Sequence, residues 1–122
     1  MHFTELDTPA LCIDLDVLEK NIDDLQSACN RLEIPLRVHT KTHKTPAIAR
    51  KQIAAGAIGI VSQKLGEAEA MAAGGIEDIL IPYNIVGKTK LARLTSLVLS
   101  GQSTITVAAD SSATVTGLSQ AA

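Results

Sequence analysis

The chain has 122 residues, 46% hydrophobic and 20% charged, with a net charge of −2 from 11 basic and 13 acidic side chains. That is one domain's worth of globular chain, without the field that nucleic acid or an anionic membrane would need, and no run approaches the ~18 apolar residues of a transmembrane helix. Aromatics are 2% of the chain, so its core must be built from Ala, Ile, Leu and Val. The start has no basic region followed by an apolar run, so no secretory signal is expected and the cytoplasm is the expected location. Two cysteines, Cys12 and Cys29, do not make a disulfide framework; among apolar neighbours both are expected as buried thiols.

In chain order, Thr8-Pro9 opens a short apolar run, Ala10 to Ile13, that reads as a strand or extended arm. Asp16 is the expected N-cap of a first helix, whose apolar face is Leu18, Ile22, Leu25, Cys29 and Leu32. Pro35 blocks its continuation. Residues 36–41 alternate and predict a strand. Thr45-Pro46 predicts an N-cap with proline in the first turn, and the helix runs from Ala47 to Ala55 with Gly56 at its end. Residues 57–61 predict a second strand and Lys64 to Ala73 a second helix of the repeat, closed by Gly74-Gly75. Residues 78–82 predict a third strand and Lys88 to Ser100 the helix after it. Residues 104–108 predict a fourth strand, and Asp110-Ser111 a cap for a last helix.

Strands alternating with helices imply right-handed βαβ units and a parallel sheet, and strands apolar on both faces imply helical cover. Strand starts at 36, 57, 78 and 104 give a repeat of roughly 21 to 26 residues. That spacing fits a (β/α)8 barrel, typically ~250 residues long, better than an open doubly wound sheet. The expected fold is therefore α/β, about four βα units of a barrel preceded by an arm and a helix. Residues 1–122 are read as the N-terminal half of a barrel domain, without a C-terminal β-domain.

On the first predicted strand, Leu36, Val38 and Thr40 share one face, and Arg37, His39 and Lys41 the other. In a barrel the latter face points inward, and its C-terminal end lines the site. Stacked titratable groups there need an anionic ligand, carboxylate partners or solvent, because unpaired buried charge is expensive. An edge strand with a wet face is the plain alternative. Residues 31–51 hold Arg31, Arg37, Lys41, Lys44, Arg50 and Lys51 against the one acid Glu33, with no aromatic on which a base could stack. A lysine among other cations, partly desolvated, has its neutral amine favoured, as Schiff-base chemistry with a carbonyl requires. Lys41, expected at the strand end with its side chain inward, is the better candidate, and Lys44 is expected in the turn. Elsewhere, Glu67 and Glu69 are expected on a solvated helix face. Tyr83 is a weak candidate for the barrel mouth, and Asp110 is either a site residue or a cap.

The segment Leu36-Arg-Val-His-Thr-Lys-Thr-His-Lys-Thr45 resembles the pyridoxal-phosphate (PLP) lysine strand of the D-threonine aldolase and D-serine dehydratase family. Those enzymes have the alanine-racemase-like barrel of fold type III. Asp7 to Asp16, Lys64 to Glu69 and Asp78 to Ile81 extend the resemblance over roughly residues 7–110. It implies a lyase acting on D-amino acids, with Lys41 as the catalytic lysine that binds PLP and with Arg37 and His39 lining the cofactor pocket. His43 and Lys44 match the motif and could equally be structural. Val38 stands where the family usually has proline. The resemblance further implies a divalent metal (Mn, Mg or Zn) held by residues beyond this chain, a D-amino acid as substrate and a homodimer. D-threonine aldolase-type cleavage to glycine and an aldehyde is the first expectation. Dehydratase-type elimination to a keto acid and ammonia, a non-catalytic PLP-binding barrel, and an inactive truncated fragment are the alternatives.

Overall fold

The computed structural model describes residues 2–122. Helix α1 (Leu15–Arg31) precedes four strands, β1 (Arg37–His39), β2 (Gly59–Val61), β3 (Asp78–Ile81) and β4 (Thr104–Val107), each followed by a helix. These helices are α2 (Pro46–Ala54), α3 (Leu65–Ala73), α4 (Lys88–Leu99) and α5 (Ser112–Ala121). The strands are all parallel and lie in the order β1-β2-β3-β4. With each strand added on the same side of the last, right-handed crossovers put every connecting helix on one face of the sheet. That is the winding of a barrel, and a doubly wound sheet would instead reverse its strand order.

Register sorts the side chains into two populations. Val38, Ile60, Ile79 and Ile105 form one row across the sheet. With Ile81 they pack against Ala49, Ala68, Met71, Ala72, Leu94 and Leu97 in one core. Alanine at 49, 68 and 72 lets the helices approach a sheet that has no aromatic residues. The opposite face carries Arg37, Gly59, Asp78 and Thr104 in one row and His39, Val61, Leu80 and Thr106 in the next. Helices thus cover one face only, as the barrel reading expects. Edge strand β4 is the most exposed, with only Ile105 and Val107 half-buried against the core.

Several local expectations change. Asp14, not Asp16, caps α1, its Oδ1 accepting the Val17 amide at 3.1 Å, because the chain leaves extended geometry at residue 14. Of the two readings of residues 10–13, strand or arm, the structure has the exposed arm, with Leu11 95% accessible. Cys12 is exposed with that arm, and Cys29 is half-buried, so neither is the buried thiol expected. The predicted apolar face of α1 is covered in part, since Leu18, Ile22 and Cys29 are half-buried while Leu25 and Leu32 are exposed. The buried side chain of that helix is Gln26. Strand β1 ends at His39, short of the expected residue 41, because the chain turns at Thr40, whose carbonyl accepts the Lys44 amide at 2.8 Å.

Candidate active site

The open face of the sheet begins with an ion pair. Arg37 on β1 donates to both carboxylate oxygens of Asp78 on β3, at 2.8 and 3.0 Å, and so crosses the whole width of β2. It can do so because the β2 residue between them is Gly59. A Cβ there would lie 2.4 Å from Arg37 Nη1 and 2.9 Å from the Asp78 carbonyl oxygen. The two partners reinforce each other. The guanidinium beside Asp78 holds its carboxyl below the usual carboxylate range, and Asp78 raises Arg37 in turn. Arg37 is thus committed to a carboxylate in the first row, and His39 stands in the second row, two residues nearer the C-terminal ends of the strands.

Lys41 follows in the turn, exposed, two residues past β1. It lies beyond the strand rather than on its last inward position, at the end of the sheet where barrels carry their sites. Four of the five other cations in residues 31–51 have a partner. Lys44 pairs with Glu67 at 3.3 Å, Lys51 with Glu19 and Arg37 with Asp78, while Arg50 donates to the Gly74 carbonyl at 2.6 Å. Among the described residues Lys41 makes no ion pair. Three of the five other cations in residues 31–51 are thus paired with carboxylates, while among the described residues Lys41, like Arg31 and Arg50, has none.

The turn that carries Lys41 is held from both sides. Thr40 is fully buried; its amide and its Oγ1 both donate to the Val61 carbonyl, at 2.9 and 3.1 Å. Lys44 adopts a left-handed conformation, φ 49°, which turns its ammonium to Glu67. Glu67 is buried, contrary to the expectation of a solvated face, and its Oε2 accepts the Gln63 amide at 3.0 Å. It stands at the third position of α3 and reaches back over the helix start as a capping-box glutamate does. Glu69 pairs with Arg93 and ties α3 to α4, which holds its carboxyl below the ordinary range.

His43 is half-buried, and its Nδ1 accepts the Thr45 amide at 3.1 Å. Burial lowers its pKa, with the Gln52 side chain opposing, so the ring is neutral at neutral pH. Asp110 accepts from Asn84 Nδ2 at 2.6 Å, joining the loops after β3 and β4; Ser111, not Asp110, caps α5. Tyr83 is exposed on a cleft of about 340 Å³ between the ends of β2 and β3, with Gln63, Lys64, Asn84 and Lys90.

Of the residues singled out in the sequence, β1 and its turn bring together Arg37, His39, Lys41, His43 and Lys44. The partners Asp78, Gly59 and Glu67 were missed. Among the described residues no group of three His, Cys, Asp or Glu is placed to hold a metal ion.

Four parallel βα units in sequence order, with their helices on one face, define part of a (β/α)8-type barrel. No family model matches the chain. It is 41% identical over 116 residues to D-threonine aldolase of Arthrobacter sp, covering 95% of this chain and 30% of that protein. It is 37% identical over 123 residues to 3-hydroxy-D-aspartate aldolase of Paracoccus denitrificans, covering 100% of this chain and 32% of the relative. The crystal structure of D-threonine aldolase from Filomicrobium marinum superposes with a TM-score of 0.92 at 40% identity, over 98% of this chain and 32% of that one. D-threo-3-hydroxyaspartate dehydratase from Delftia sp. HT23 superposes with a TM-score of 0.86 at 35% identity, over 95% of this chain and 30% of that one. The chain is thus homologous, over nearly all of its length, to the D-threonine aldolases and the related D-hydroxyaspartate aldolases and dehydratase. It matches their N-terminal part and spans about a third of their length.

Proposed function

We propose that this chain forms the first half of the barrel of a PLP-dependent lyase for D-3-hydroxy amino acids, with Lys41 as its catalytic lysine. The observation that carries the reading is Lys41 itself, a lysine without an ion-pair partner at the C-terminal end of β1, in a chain 41% identical to a D-threonine aldolase. The residues fit PLP at one point, since an unpaired amine suits its aldehyde. PLP would supply an electron sink for the pair released at the substrate's α-carbon. Lys41 would hold the cofactor and yield it to the substrate amine. His39, one row below, would line the pocket. Arg37, tied to Asp78, would form its floor.

Aldolase-type reaction is favoured. In it the Cα–Cβ bond breaks, the 3-hydroxyl proton passes to a base, and the α-carbon takes up a proton, giving glycine and an aldehyde. The second reading is elimination of the 3-hydroxyl to a keto acid and ammonia, and the TM-score of 0.86 to the Delftia dehydratase supports it. The whole protein would act in the cytoplasm as a homodimer. Incubating the PLP-loaded protein, extended to its natural length, with D-threonine and with D-threo-3-hydroxyaspartate tests both. Glycine with aldehyde supports the first reading and keto acid with ammonia the second. No product from either overturns the lyase reading, and turnover that survives Lys41→Ala overturns the role given to Lys41.

A further inference from the structure

The two histidines beside Lys41 spend their Nδ1 atoms on the backbone. His39 accepts the amide of Lys41 at 3.3 Å, and His43 accepts the amide of Thr45 at 3.1 Å. Each ring does for the residue two ahead what an Asp or Asn oxygen does in an Asx turn. The two are unequal. The contact of His39 is exposed and long. That of His43 is part-buried and closed by a second bond, from Thr45 Oγ1 to the His43 carbonyl at 2.6 Å. Thr45 is the N-cap residue of α2, yet its hydroxyl makes no capping bond, being spent on His43. Entry into α2 therefore depends on the histidine. On its other side, Nε2 of His43 is buried without a hydrogen-bond partner, as is Oε1 of Gln52, the α2 side chain that faces the ring. An Nδ1 that accepts an N–H carries no proton, so the neutral ring keeps its proton on Nε2, toward that amide oxygen.

We infer that His43 is a positioning residue for Lys41: through Nδ1 it fixes the turn of residues 40–45 and so sets where the Lys41 amine stands. The inference rests on the reading of Lys41 as the reactive lysine, and its test separates the two. His43→Asn leaves an acceptor oxygen near the Nδ1 position. His43→Gln places its amide near Nε2 and gives up the Nδ1 acceptor. His43→Ala removes both. Amide hydrogen exchange at Thr45 and competitive acetylation of Lys41 against Lys64, mapped by mass spectrometry, read the turn without any cofactor.

His43→Asn is expected to keep both values within about threefold of the native chain. His43→Gln and His43→Ala are expected to lose Thr45 protection about tenfold, the size of one hydrogen bond, and to change the Lys41:Lys64 acetylation ratio. Should His43→Ala fail to fold by circular dichroism, the Asn–Gln contrast decides alone. A Gln variant that matches the native chain, or an Asn variant as defective as Gln, overturns the inference. Borohydride trapping of PLP on the native chain keeps the two failures apart. PLP trapped on Lys41 without the Asn–Gln contrast sinks only the role of His43. The contrast without trapping leaves the turn assignment standing and sinks the cofactor reading.

Discussion

Replacing Gly59 with alanine places a methyl group where the Arg37 guanidinium crosses β2. The new Cβ would stand 2.4 Å from Nη1 and 2.9 Å from the Asp78 carbonyl oxygen, at a φ of +154° that side-chain-bearing residues rarely adopt. The guanidinium must leave Asp78, or β2 and β3 must part. The pair makes two charge-assisted bonds, each of a kind worth about 1.5–3 kcal/mol when shielded. Its side chains are 24% and 41% exposed, so solvent screening reduces the whole pair to about 1 kcal/mol. Strain at the substituted residue adds about 1 kcal/mol. The expected loss is about 2 kcal/mol, which lowers a urea midpoint by about 1 M at a slope ordinary for a small protein. If the cost runs through the ion pair, Gly59→Ala in an Asp78→Ala background should cost about 1 kcal/mol less than in the native chain. A neutral substitution, or costs that simply add, would refute the assignment of Gly59 as the passage for Arg37.

The carboxyl of Asp78 is held below its unfolded value of about 3.8. Its contribution is therefore complete above that value and is lost as pH falls through the lower folded one. Urea unfolding from pH 6 to pH 2 should show the native chain's advantage over Asp78→Asn shrinking with acidification, and a constant difference would contradict this. Ile79 is fully buried in the middle of the sheet, so Ile79→Ala should cost about 2–5 kcal/mol and Ile79→Val about 0.5–1.5 kcal/mol by equilibrium unfolding. Glu67→Ala leaves the Gln63 amide and Lys44 without their partner; a loss of about 1–3 kcal/mol is expected, with faster hydrogen exchange in residues 40–45. Glu69→Ala, on the more exposed pair with Arg93, should cost well under that, and an equal loss would remove the special place given to Glu67.

The winding of the sheet was legible because it depends on local signals. Short apolar runs, turn glycines and helical spacing repeat along the chain, and the right-handed crossover rule does the rest. Lys41 could be singled out because it and its motif are contiguous in the sequence. What escaped was set by contacts distant in sequence. Glu67 looked solvated from its helix spacing, and only Lys44, 23 positions earlier, and the helix start make it buried structure. Asp78 read as the first residue of an apolar strand, although an acid on the open face, in line with Arg37 across a glycine, was a usable signal. Asp16 was read as the cap of α1 from its residue type, and the point where the backbone leaves extended geometry gave that place to Asp14. Cys12 looked buried because apolar residues surround it in sequence, but that arm has no neighbouring strand.

The account turns on Lys41. Incubating the protein with PLP, reducing with borohydride and mapping the adduct by mass spectrometry puts that claim to its most direct test. The account predicts a label on Lys41 that disappears in Lys41→Ala while Lys44 remains unmodified. A label on Lys44, or none on the native protein, would contradict it.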